Sequence, residues 1–333
     1  MQTNTPAADR PAHAGAAGRS APAARRVMSF DAIGTRWVVD AEDVLAQDVR
    51  ERVRAVIDDF DRTWSRFRPD SLVTHIARSE HGGTFEVPSG DVPLLDLYDR
   101  LVEATDGALD PLVGGRLELL GYDARYTLRP ASDHELGRQH AVRPSWFDDV
   151  DRAGATLRTR RPVVIDVGAA GKGYLVDRVA DVLADAGLRR FTVDAGGDLV
   201  QHGRSGLRVG LEDPADPRRV LGVATLDRRA LCASATNRRA WGEALHHLLD
   251  ARTGLAVRDV VATWAVADSA AVADGVATAL FLVGPDRLTA FDAQFARLLP
   301  DRRVQHSPGA GIELFTSAAP AGDPNTRTTK ETV

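Results

Sequence analysis

The spacing of apolar and polar positions divides the chain into elements. Residues 36–40 (Arg-Trp-Val-Val-Asp), directly after Ile33-Gly34-Thr35, read as a strand. Over 43–64, Val44, Val49, Val53, Ile57, Phe60 and Trp64 recur at helical spacing and predict a long amphipathic helix. A second helix is predicted over about 91–105, stopped near Asp106-Gly107. Val163-Val164-Ile165 predicts a short buried strand running into Gly168, Gly171 and Gly173. The helix that follows carries Leu175, Val176, Val179 and Leu183 on one face and ends at Gly187. Strands are expected at 191–200, 207–212, 219–226 and 259–267, helices at 269–283 and 286–297, and a closing strand from Ile312 to Phe315. Regular βαβ alternation is missing, which favours an α+β fold over a doubly wound sheet. No internal repeat is visible.

The two ends break the pattern. Residues 1–26 are rich in Ala, Pro and Gly without periodicity, and 318–333 are polar. Both are expected to be disordered, leaving a folded body over 27–317. The leading segment has no apolar core for a secretory signal and no cysteine for a lipid anchor. No run of 18 apolar residues occurs, so a cytoplasmic protein without a membrane span is expected.

Composition acts mainly by exclusion. The 333 residues are 44% hydrophobic and 27% charged, enough to build a core. A formal charge of −5, without a basic stripe, argues against a nucleic-acid partner. The single cysteine, Cys232, excludes an internal disulfide and a multi-cysteine metal site. Of two lysines, only Lys172 lies within the body, in the glycine-rich stretch.

Four stretches carry candidate chemistry. Asp166 to Tyr174 (Asp-Val-Gly-Ala-Ala-Gly-Lys-Gly-Tyr) joins a strand to a helix; its glycines allow a ligand close to the backbone, and Lys172 offers a point charge to phosphate. It is neither a Walker loop nor a dinucleotide fingerprint, and it fits a tight strand-to-helix turn equally well. Asp274 and Thr278 stand four apart on an apolar helix and share a face, an oxygen pair suited to Mg²⁺. The same pair also suits a helix-terminal Asp and a Thr bonding back to a carbonyl. His246 and His247 precede the turn Asp250-Ala-Arg-Thr-Gly254; one of them could act as a base near neutral pH, or be a surface loop residue. Phe67, in Ser65-Arg-Phe-Arg-Pro-Asp-Ser71, offers an aromatic face or a core ring, and Asp106-Gly-Ala-Leu-Asp110-Pro111 is a second turn-rich stretch.

In order and spacing, these stretches resemble the FAD:protein FMN transferases of the ApbE type, from Ile33 to about Gly284. Ile33-Gly34-Thr35 stands where the family has Met-Gly-Thr, and Phe67 and Leu109 replace a Tyr and a Phe. Asp166 to Asp177 matches Asp-Leu-Gly-Gly-Ile-Ala-Lys-Gly-Tyr-x-x-Asp, and Gly196-Gly197-Asp198 the Gly-Gly-acid element. His247-Leu-Leu-Asp250-Ala-Arg-Thr-Gly254 matches His-Ile-Ile-Asp-Pro-x-Thr-Gly, and Ala273 to Ala279 keeps Ala-Asp-x-x-Ala-Thr-Ala. The departures are Leu112 for a Thr and Cys232-Ala-Ser234-Ala235 for Ala-Thr-Ser-Gly.

The resemblance implies a single α+β body of mixed, mainly antiparallel sheets with packed helices. It implies an enzyme that moves FMN from FAD to a Thr or Ser of an acceptor flavoprotein and releases AMP. Asp274, Thr278 and the Ala169 carbonyl would hold Mg²⁺. Ile33, Phe67, Ala108, Leu109, Asp110, Asp166, Lys172 and Leu248 would contact FAD. His247, with an imidazole pKa expected near 6.5, would deprotonate the acceptor hydroxyl, while His246 faces away and tolerates replacement. A Mg²⁺-dependent FAD pyrophosphatase and a non-catalytic FAD-binding protein share most of these residues and stay open.

Overall fold

The computed structural model describes residues 26–141, 143–203, 206–242, 245–308, 311–315 and 330–332. Its frame is a nine-stranded sheet whose spatial order follows the chain: Val27–Ala32, Thr35–Ala41, Phe191–Asp194, Asp198–His202, Ala230–Ala235, Ala262–Ala267, Gln294–Leu298, Arg303–His306 and Lys330–Thr332. Every pairing in it is antiparallel. The expected tails lie outside the described residues, apart from Arg26 and that last short strand.

The interior strand Ala262–Ala267 is buried along its whole length, and its alternate residues feed two cores. Ala265 and Ala267 face a helical layer containing Gln47–Trp64, Val92–Ala104, Gly171–Asp185 and Ala270–Ala279. Ala262, Trp264 and Val266 face a three-stranded sheet of Leu207–Asp213, Asp216–Leu226 and Ile312–Leu314. The α+β class with mainly antiparallel sheets therefore stands. Among the described residues, no helix is long and apolar enough to cross a membrane.

Several element expectations need correction. The first helix starts at Gln47, not 43, because Ala41 and Glu42 continue sheet pairing by donating to the Arg26 and Arg190 carbonyls. Val163 and Ile165 are buried but belong to no strand; the segment packs in the core, and the Asp166 amide donates to the Pro111 carbonyl. The stretch 191–200 is a hairpin rather than one strand, turned at Gly196 and Gly197, both at positive φ, with the Asp194 carboxylate accepting the Gly196 amide. The expected helix over 286–297 is a 3₁₀ turn, Pro285–Phe291, then the strand Gln294–Leu298; Asp292, in the left-handed region at φ 47°, separates them.

Two features place the loops that carry candidate chemistry. Ile33 and Gly34 close the first hairpin with φ of 43° and 76°, the backbone a two-residue turn of this hand needs. A β-branched residue rarely accepts this conformation, so Ile33 is held there by its surroundings. The second is a clamp between helices. Asp177, on Gly171–Asp185, accepts from the Ser269 hydroxyl and from the Ala270 and Ala271 amides, satisfying the N-terminus of Ala270–Ala279.

Candidate functional site

The first turn of Gly171–Asp185, the C-terminal end of Gln47–Trp64, the hairpin turns at Ile33–Gly34 and Gly196–Gly197, and residues 233–235, 237–241 and 247–249 border a cleft of about 880 Å³. Its polar part is built where two helices meet. Gly173 lets Gly171–Asp185 approach closely: a Cβ there would lie 2.1 Å from the Ala270 carbonyl oxygen. Asp274 sits mid-helix on Ala270–Ala279 and is almost wholly buried, with Oδ2 accepting the Gly173 amide at 2.9 Å. One turn on, the Thr278 hydroxyl donates to the Ala169 carbonyl at 3.2 Å rather than back along its own helix. Asp274, Thr278 and Ala169 thus line the same cleft, with Asp274 one helical turn before Thr278. Ser269 caps this helix, so Asp274 is not a terminal capping acid.

Lys172 lies in the first turn of Gly171–Asp185 and forms an ion pair with Asp198, which is completely buried. Burial alone would lower the ammonium pKa, but the Asp198 and Asp274 charges outweigh it and hold it raised. Burial, then repulsion from Asp198, pushes the Asp274 carboxyl well above its usual range, with Lys172 opposing. Two buried carboxylates share one ammonium here, and Asp198 Oδ1 has no hydrogen-bond partner among the described residues. A hard cation would compensate the surplus negative charge, and the donor set of carboxylate, hydroxyl and carbonyl is of the kind Mg²⁺ takes. Among the described residues no three His, Cys, Asp or Glu side chains group to hold a metal, so any site draws on the Thr and the backbone.

Asp166 is held by Arg66, whose Nε donates at 2.6 Å, and by the Gly168 amide at 2.7 Å. Burial opposes ionisation of Asp166, but the Arg66 charge and hydrogen bond prevail and its pKa is lowered. Arg66 Nη1 also donates to the Tyr122 carbonyl, and the guanidinium lies over the Phe67 ring at 4.3 Å and the Tyr122 ring at 5.0 Å. Arg66 therefore joins the polar part of the cleft to an aromatic one, where Phe67 meets Tyr122 edge-on and Tyr122 stacks on Trp241.

The other expected residues divide. Ile33, Leu109 and Leu248 line the cleft. Ala108 does not; it is fully buried, and its carbonyl accepts the Ala251 amide. Asp110 borders the cleft, but its oxygens accept the Leu112 and Trp146 amides, both at 2.8 Å. Burial drives its pKa up to about 6 against those bonds.

His247 lines the cleft, and its Nδ1 is buried without a hydrogen-bond partner among the described residues. Burial, then the Arg239 charge and His246, pushes its pKa down to about 3, so the expected value near 6.5 is corrected. His246 does not line the cleft: buried, it accepts the Leu248 amide on Nδ1, which leaves Nε2–H to donate to the Val257 carbonyl at 2.8 Å.

Sequence reasoning missed Arg66, Tyr98 and Arg239, all of which line the cleft. Arg66 Nη2 and the Tyr98 hydroxyl, like His247 Nδ1, are buried atoms without a hydrogen-bond partner among the described residues. Buried polar atoms are seldom left so. The charged run Ser65-Arg-Phe-Arg68 hinted at Arg66; nothing local marks Tyr98.

The ApbE family model matches residues 33–298. The FAD:protein FMN transferase of Rhodobacter capsulatus is 30% identical over 320 residues, 91% of this chain and 61% of that protein, so this chain spans under two thirds of that relative's length. The flavin transferase ApbE of Vibrio cholerae superposes with a TM-score of 0.71 at 22% identity, covering 88% of this chain and 96% of that one. The ApbE protein of Thermotoga maritima superposes at 0.70 with 25% identity, covering 86% and 96%. With most of the body matched and the fold shared, the chain belongs to the ApbE family.

Proposed function

We propose that this chain is a Mg²⁺-dependent FAD:protein FMN transferase, joining FMN to a Thr or Ser hydroxyl of an acceptor flavoprotein through a phosphoester bond. The observation that carries this reading is that Asp274, Lys172 and the hydrogen-bonded pair of Thr278 and the Ala169 carbonyl line one cleft with Phe67, Tyr122 and Trp241. A pyrophosphate and a planar ring in one ligand match those two parts. The name borne by the curated relatives supports the same chemistry.

In the reaction, the acceptor oxygen bonds to the FMN-side phosphorus, the bridging P–O bond breaks, and AMP leaves with that electron pair. Asp274, Thr278 and the Ala169 carbonyl would hold Mg²⁺, which supplies charge neutralisation at the pyrophosphate. Lys172, kept charged by Asp198, adds a fixed positive point for the phosphates. Asp166, set by Arg66, and Ile33, Leu109 and Leu248 form the walls that orient FAD. His247 takes the acceptor proton. Its neutral ring is always ready to accept one, although a base of low pKa relies on the anionic substrate to stabilise the imidazolium.

The test is to incubate the purified protein with FAD, Mg²⁺ and candidate acceptor flavoproteins from the same genome. A covalent FMN mass on an acceptor, with one AMP released per adduct, is expected. Free FMN and AMP without an adduct would assign a pyrophosphatase instead, and FAD bound unchanged would overturn catalysis altogether.

A further inference from the structure

Beside Phe67, a second ring is presented in an unusual way. Tyr126 stacks on Phe67 with centroids 5.2 Å apart and planes only 7° from parallel. Both rings line the cleft, and Tyr126 is 51% exposed. Tyr126 and Leu128 hold φ of 51° and 52°, a left-handed backbone that side chains other than glycine seldom adopt. The turn that imposes it is well tied. The Asp123 carboxylate accepts the Arg125 and Thr127 amides and the Thr127 hydroxyl, and the Leu128 amide closes the loop on the Gly121 carbonyl. A costly conformation maintained by so many bonds, with an exposed aromatic at its tip, is a way of aiming that ring.

The two rings differ in anchorage. Phe67 is fixed from behind by the Arg66 guanidinium and the Tyr122 edge. Tyr126 has an edge contact to Tyr122 and is half exposed. A planar ligand ring touched on both faces needs its two partners about 7–8 Å apart, twice an ordinary carbon contact. The parallel pair would reach that by a small outward movement of the Asp123 turn.

We infer that Tyr126 is the second jaw of an aromatic clamp, receiving the ligand's flavin ring between itself and Phe67. This makes Tyr126 a positioning residue for the ring half of the substrate. The inference rests on the FAD reading above. It adds a residue to which neither helix spacing nor the family motifs assign a role.

The test measures FAD and ADP binding to wild type, Tyr126→Ala and Tyr126→Phe in magnesium buffer without acceptor. ADP carries the adenosine and both phosphates but no flavin. Tyr126→Ala should weaken FAD about 5- to 100-fold, leave ADP within about two-fold, and Tyr126→Phe should bind both like wild type. Unchanged FAD affinity in Tyr126→Ala, or an equal loss of FAD and ADP, would overturn the clamp alone. Wild type that binds ADP but not FAD would overturn the flavin reading as well.

Discussion

The amide of Gly173 donates to the carboxylate of Asp274 at 2.9 Å, so the first turn of one helix positions the acid of another. The contact depends on the missing side chain, because a Cβ at 173 would also lie 2.7 Å from the Asp274 Cβ. Gly173→Ala is expected to force the helices apart and cost about 1–3 kcal/mol of stability. Urea unfolding reads this as a lower midpoint at unchanged slope. An unaltered midpoint would show that the helices yield freely.

Asp274→Asn keeps an oxygen for the Gly173 amide and removes the charge. Lys172 and Asp198 remain a matched pair, so the fold should survive. Loss of the cation's several kcal/mol should cut transfer by roughly 10²–10³-fold, together with any thermal shift on adding Mg²⁺. Full activity of the variant, or of wild type in excess chelator, would contradict the cation assignment.

His247→Ala is expected to lower transfer by about 10²–10⁴ while FAD affinity changes little. With its pKa pushed to about 3, the His247 ring should show no titration between pH 5 and 8 in the ligand-free protein. Histidine NMR checks this directly, and a midpoint near 6.5 would refute the buried geometry.

His246→Ala should behave oppositely. It removes the acceptor for the Leu248 amide and the donor to the Val257 carbonyl, at a cost of about 1–3 kcal/mol. Turnover per folded molecule should be retained. A normal melting temperature with dead turnover would reverse the roles of the two histidines.

Asp110 has a pKa of about 6 in the fold, against the 3.8 of a free carboxyl. Between those values the folded state holds more protons than the unfolded one. The residue's contribution is therefore greatest below pH 4, falls as pH rises to 6 and is flat above. The change amounts to roughly 2–3 kcal/mol. Stability of wild type relative to Asp110→Asn should decline by about that amount from pH 4 to 7, and a flat difference would contradict the raised pKa.

By itself the sequence determined what depends on neighbours along the chain. Val49, Val53, Ile57, Phe60 and Trp64 specify an amphipathic helix by spacing, and Asp274 and Thr278 share a face because they are four apart on another. The ordered motifs carried the α+β class and the family, since they mark turns and close approaches that one fold requires. What crosses the chain was decided only by tertiary structure. Arg66 meets Asp166 across 100 residues, and Tyr98 reaches the cleft from a helix whose pattern marks it merely as buried. The segment Gln294–Leu298 became a strand because a sheet edge was there to pair with it, which outweighs local helical preference. His247 lost the titration expected of a free imidazole because burial and Arg239 disfavour its charge. Periodicity records which side of an element is apolar; the charges and hydrogen bonds that meet a side chain there are set by segments distant in sequence.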